Sequence, residues 1–113
     1  MSVSYRRLDG DIWLVSCQGR LDQSLNPQVE QSLAELLDEG HQRFIVDLSE
    51  ATYINSGGLR CLVTAWRRSR AQGGDLILFG LNNRLEEIFS LVGFDRVFQI
   101  YTSLDDAEKH SYP

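Results

Sequence analysis

No apolar run in this chain approaches the roughly 18 consecutive residues of a membrane helix, and no basic-then-apolar leader opens it. A cytoplasmic product without direct membrane insertion is therefore expected. Histidine is scarce, with His41 in a predicted turn and His110 in the tail. The two cysteines, Cys17 and Cys61, fall in a predicted strand and a predicted helix without the spacing of a metal site. We expect them to be reduced and structural, and expect no metal site. There is no Gly-rich phosphate loop ending in Lys-Ser or Lys-Thr. Ile54-Asn55-Ser56-Gly57-Gly58 holds only half of the Gly-x-Ser-x-Gly nucleophile elbow, and neither histidine is evidently placed to activate Ser56. No catalytic residue and no cofactor is expected. A net charge of −5 lacks the positive field that nonspecific nucleic-acid binding draws on.

What is there reads as one α/β domain spanning residues 1–113, with 42% hydrophobic and 24% charged residues. The chain is organised around Arg43 to Trp66. Phe44, Ile45, Val46 and Leu48 form the near-continuous apolar run of a strand covered on both faces. From Leu59 the apolar residues fall at Leu59, Leu62, Val63 and Trp66, the stripe of an amphipathic helix with Trp66 as a large anchor. Between the two periods a short loop holds Ser56 before two glycines. A serine there is a natural N-cap, and a helix start is also where a phosphate is electrostatically welcome. Asn55 can hydrogen-bond that serine or cap the turn.

Taken in order, Ser2 to Leu8 reads as an edge strand with Val3, Tyr5 and Leu8 as candidates for burial. Asp9-Gly10 turns it into a second strand from Ile12 that ends near Gly19. Asn26 caps a helix with Pro27 at its first position and Val29, Leu33, Leu36 and Leu37 as its buried stripe, closed by Gly40. After the central strand and the Ser56 helix comes a strand at Leu76 to Phe79. A helix capped by Asn82 or Asn83 follows, with the stripe Leu85, Ile88, Phe89 and Val92. A last strand at Val97 to Ile100 precedes a short helix opened by Thr102 or Ser103, and the tail from His110 should be frayed. The order β-β-α-β-α-β-α-β-α implies a mixed, mostly parallel sheet of about five strands with about four helices.

Loops leaving the carboxyl ends of neighbouring parallel strands gather at one rim. With the second strand ending near Gly19 and the central strand near Leu48, Asp22 and Asp47 are the carboxylates placed near Ser56. For Asp47 a structural role, satisfied by backbone N–H groups, is favoured; for Asp22 an Asx-turn and an interaction role are both open. Arg60, Arg67, Arg68 and Arg70 lie off the apolar stripe of the Ser56 helix, where a charge run is usually a solvated face. Arg60 is close enough to Ser56 to matter.

The run Asp47-Leu48-Ser49-Glu50-Ala51-Thr52-Tyr53-Ile54-Asn55-Ser56-Gly57-Gly58-Leu59 resembles the signature of STAS domains, specifically of the small bacterial anti-sigma-factor antagonists. Their pattern is Asp-Leu-Ser, a few residues, then aromatic-Ile-Asp-Ser-small-Gly-Leu. The resemblance runs from Gly19-Arg20-Leu21-Asp22 to the Phe94 region. It implies a STAS fold and a binding protein. Unphosphorylated, such a protein docks on a GHKL-type serine kinase that is also an anti-sigma factor, and phosphorylation of Ser56 ends the binding. A serine phosphatase would reverse it. The implied docking rim comprises Asp22, Asn55, Ser56, Gly57, Gly58 and Arg60. Where the family has aspartate before the serine this chain has Asn55, which implies slower phosphorylation. Two other functions remain open: a STAS adaptor subunit of a signalling or lipid-transport complex, with Ser56 only a cap, and a small-ligand sensor.

Overall fold

The computed structural model describes residues 1–111, with side chains through Lys109. Strand β1 (Ser2–Leu8) turns through Gly10 and Asp11, both at positive φ, into β2 (Ile12–Leu21), its antiparallel neighbour. Strands β3 (Arg43–Ile54), β4 (Asp75–Phe79) and β5 (Ile100–Tyr101) follow parallel to β2 in the spatial order β1-β2-β3-β4-β5. Helices α1 (Asn26–Asp38), α2 (Ser56–Ala71) and α3 (Asn83–Val92) make the crossovers, and α4 (Leu104–Ser111) ends the chain.

Every crossover steps the same way along the sheet, so right-handed connections put α1, α2 and α3 on one face. There Phe44, Val46, Leu48, Leu76 and Leu78 meet Leu33, Leu36, Leu62, Leu85 and Phe89. The opposite face is closed by α4, whose Ala107 packs with Ile45 and Ile77. Residues on both faces of β3 are thus buried, which is why Phe44-Ile45-Val46 does not alternate with polar residues.

Several elements depart from their sequence expectation. Strand β3 runs on to Ile54 instead of ending near Leu48. Only its first part, Arg43 to Asp47, pairs with β4, whereas β2 accompanies it to Ile54 through irregularities at Ser16/Gln18 and Gly19/Arg20. The paired ends of β2 and β3 therefore project beyond β4. Strand β5 is Ile100–Tyr101, not Val97 to Ile100, because a 3-10 turn over Phe94–Arg96 redirects the chain. Phe98 turns inward, meeting the rings of Trp66, Phe89 and Phe94 edge-on at 6.0, 6.1 and 6.3 Å.

The buried face of α2 is Leu59, Leu62, Ala65 and Ser69, so Val63 and Trp66 flank it half-buried. Tyr5 and Val92 are exposed rather than buried. The α1 stripe of Val29, Leu33, Leu36 and Leu37 is buried as expected, and Gly40 closes that helix at φ 94°. Asn26, however, does not cap α1. Leu25 occupies the N-cap position without a side-chain bond, and Asn26 is the first helical residue. The expectation of a frayed tail concerns Tyr112 and Pro113, outside the described residues, and His110 and Ser111, where α4 still runs.

Candidate functional site

The carboxyl ends of β2 and β3 are locked together where the candidate site begins. Leu21 and Ile54 are register partners, and the Asn55 backbone N–H donates to the Leu21 carbonyl at 3.0 Å. Asp22 and Asn55 thus leave adjacent strands side by side. The Asp22 carbonyl accepts from the backbone N–H groups of Leu25 (3.1 Å) and Asn26 (2.8 Å), turning the chain directly into α1.

One residue separates β3 from α2, and that residue is the cap. Asn55 is extended (φ −102°, ψ −176°), and its Oδ1 accepts from the Gly58 backbone N–H at 3.0 Å. The cap expected on Ser56 therefore sits one residue earlier. Ser56 is the first residue of the helix, exposed, and its hydroxyl has no hydrogen-bond partner among the described residues. Capping leaves that hydroxyl unused.

Asn26, expected as a helix cap, instead belongs to this site. Its Nδ2 donates to Oδ1 of Asn55 at 3.0 Å, tying the start of α1 to the start of α2. Its Oδ1 is buried without a partner. This crowding requires glycine at position 58, whereas at 57 it presses only on side-chain ends. A Cβ on Gly58 would stand 2.7 Å from Cγ1 of Ile54 and 3.0 Å from the Leu21 carbonyl; one on Gly57 would stand 2.9 Å from Nδ2 of Asn26. No sequence pattern marks the Asn26–Asn55 bond, because it joins two helix starts 29 residues apart.

Asp22 lies on the rim, its Oδ1 accepting from the Ser24 backbone N–H at 3.0 Å and its Oδ2 from Nε of Arg20 at 3.3 Å. The Ser24 bond foremost, with the Arg20 guanidinium beside it, holds its carboxyl below the ordinary value. Arg60 is exposed in the early part of α2. It lines a groove of about 420 Å³ between α1 and α2, together with Asn26, Gly57 and Cys61.

Asp47 is not near Ser56. It is the register partner of Phe79, and the seven residues from it to Ile54 span roughly 20 Å of strand. Its carboxylate accepts from the Ser49 backbone N–H (2.9 Å) and hydroxyl (2.6 Å) and from the Ser16 hydroxyl (3.4 Å), the favoured structural role. Arg68 and Arg70 pair with Asp38 and Asp75 at 2.8 and 3.7 Å, as a solvated face would. His41 lies 3.3 Å from Asp11 at the far end of the sheet, away from Ser56. Burial pushes the Cys17 thiol up to about 12. No group of three metal-ligating side chains occurs among the described residues, and none of their helices is long and apolar enough to cross a membrane.

Comparison with known proteins supplies the family. The STAS domain model matches residues 5–107. A Bordetella bronchiseptica protein, BtrV, provisionally named an anti-sigma factor antagonist, is 32% identical over 108 residues, covering 95% of this chain and 91% of its own. A solved Thermotoga maritima structure with the same provisional description superposes at a TM-score of 0.91 and 22% identity, over 98% of this chain and 95% of that one. The phosphorylated form of Bacillus SpoIIAA superposes at 0.76 and 15% identity, over 96% and 98%. At those identities the two structures speak to the fold, whereas the domain match and the Bordetella relative speak to descent. The chain belongs to the STAS domain family.

Proposed function

We propose that this chain is an anti-sigma factor antagonist that works by binding and is switched at Ser56. Unphosphorylated, it docks on a GHKL-type serine kinase that doubles as an anti-sigma factor, through the rim of Asp22, Asn55, Ser56, Gly57, Gly58 and Arg60. A sigma factor is thereby released, phosphorylation ends the binding, and a serine phosphatase restores it. The kinase brings ATP and magnesium, so the chain needs no cofactor and catalyses nothing itself. Its place of work is the cytoplasm.

The observation that carries this reading is the exposed hydroxyl of Ser56 on the first residue of α2, without a hydrogen-bond partner among the described residues, with the capping done by Asn55. A hydroxyl with no structural duty can be esterified without taking a bond from the fold. The phosphate would add about −1.5 to −2 charges and three acceptor oxygens at a helix start that tolerates an anion. Inside the chain the effect is mild. Across a docked interface an unpaired, desolvated charge is costly. The names of the Bordetella and Thermotoga proteins, and the existence of a phosphorylated SpoIIAA, support the same direction.

The test is the initial rate of phosphate incorporation by the cognate kinase, with mass spectrometry to place the phosphate. We expect Ser56 to be the acceptor, and Asn55→Asp to be phosphorylated faster. A carboxylate keeps the acceptor geometry toward Gly58 and Asn26 while making those bonds charge-assisted, about twice as strong as neutral ones. Phosphate found only on Ser49 or Thr52 would move the switch. No incorporation in wild type beside robust incorporation in Asn55→Asp would make the chain a non-switching adaptor.

A further inference from the structure

Beside the Ser56 rim, two arginines from different elements converge on one tyrosine. Arg20, near the end of β2, is the register partner of Tyr53 on β3, and its guanidinium carbon stands 4.4 Å from the ring centroid. Arg84, in the first turn of α3, brings its own to 5.7 Å from the same centroid. The start of α3 is fixed there because Nδ2 of Asn82 donates to the Ala51 carbonyl at 3.1 Å. Arg20 is partly matched by Asp22 at 3.3 Å, whereas Arg84 makes no ion pair among the described residues. In a chain of net charge −5, Arg84 is thus a cation outside any ion pair among the described residues, held against the ring beside the candidate switch.

The geometry points to an acidic docking surface: we infer that Arg20, Tyr53 and Arg84 form a specificity patch that receives paired carboxylates of the partner protein. The ring orders both guanidiniums before binding, so less side-chain freedom is lost on contact. A guanidinium against a ring still has in-plane N–H groups to offer, and their fork matches a carboxylate. Free phosphate or nucleotide would meet the same charges, but Arg20 and Tyr53 sit on the strand ends that lead directly into Asp22 and Asn55 of the proposed docking rim, where a partner's side chains arrive. The inference rests on the reading of this rim as a protein-docking surface, and its test needs neither kinase nor phosphorylation.

The experiment is a nuclear magnetic resonance titration of the full chain, observing the arginine Nε–Hε signals, with hexaglutamate, ATP and hexalysine as probes. Hexaglutamate should shift Arg20 and Arg84 saturably at low ionic strength and leave Arg67 unmoved. The effect should disappear at about 1 M sodium chloride, where the screening length is about 3 Å. Arg84→Gln should weaken the binding by about two- to fivefold, the equivalent of one exposed ion pair. Tyr53→Leu should weaken it about threefold through lost pre-ordering, with Arg67→Gln unchanged. Equal shifts at all arginines, a saturable response to ATP but not to hexaglutamate, or an unaltered affinity in Arg84→Gln would each overturn the proposal. Because Arg84 is exposed, its variant tests the patch even if Tyr53→Leu folds poorly.

Discussion

The carboxamide oxygen of Asn55 holds two donors at once, the Gly58 backbone N–H and Nδ2 of Asn26, each at 3.0 Å. Asn55→Ala removes a helix cap worth about 0.5–2 kcal/mol together with a second hydrogen bond worth about 0.5–1.5 kcal/mol net. A loss of about 1–3 kcal/mol is expected in urea unfolding. Ser56→Ala, which removes a hydroxyl without a described partner, should stay within about 0.5 kcal/mol, as exposed substitutions do. Equal losses for the two variants would return the cap to the serine. Sequence alone could not divide these roles. Asparagine and serine are nearly equivalent N-caps, and the one-residue shift depends on β3 continuing to Ile54. The third member, Asn26, was legible only as a helix-start residue, because a bond across 29 residues leaves no local pattern.

At the scale of the element, α2 offers a case where propensity and packing disagree in sign. Alanine is favoured over glycine in a helix interior by about 1 kcal/mol, yet a Cβ on Gly58 would press on Ile54, Leu21 and Asn26. We expect Gly58→Ala to be destabilising by about 1–3 kcal/mol, the usual cost of overpacking. A gain in stability would mean that β2, β3 and α1 are less tightly joined at this point than described. Rotation of the buried stripe makes a second prediction. Leu62→Ala should cost about 2–5 kcal/mol, and the half-buried Val63→Ala clearly less. The order of elements was readable because short, near-continuous apolar runs and period-3.6 stripes succeed one another along the chain. The length of β3 was not, since Ser49-Glu50-Ala51-Thr52 lies beyond β4, where paired strands need not be apolar on both faces. The early end of α3's buried face, with Val92 exposed, follows from the turn that brings Phe98 into the core in its place.

Across the whole molecule, the side chain of Ser56 and the core are separable: the core lies between β2, β3, β4 and the helices, and Ser56 stands exposed outside it. Charge at position 56 should therefore alter binding and spare the fold. Ser56→Asp and Ser56→Glu should unfold within about 1 kcal/mol of wild type, since an acid in the first turn of a helix is favourable by about 0.3–1 kcal/mol. A cooperative loss of stability in urea would instead make the switch a folding event. The central claim is that a negative charge at Ser56, and not the absence of its hydroxyl, ends partner binding. Calorimetric titration of wild type, Ser56→Ala and stoichiometrically phosphorylated protein against the cognate anti-sigma kinase tests it most directly. The account predicts matching affinities for the first two and markedly weaker binding for the third; equal affinity for all three would contradict it.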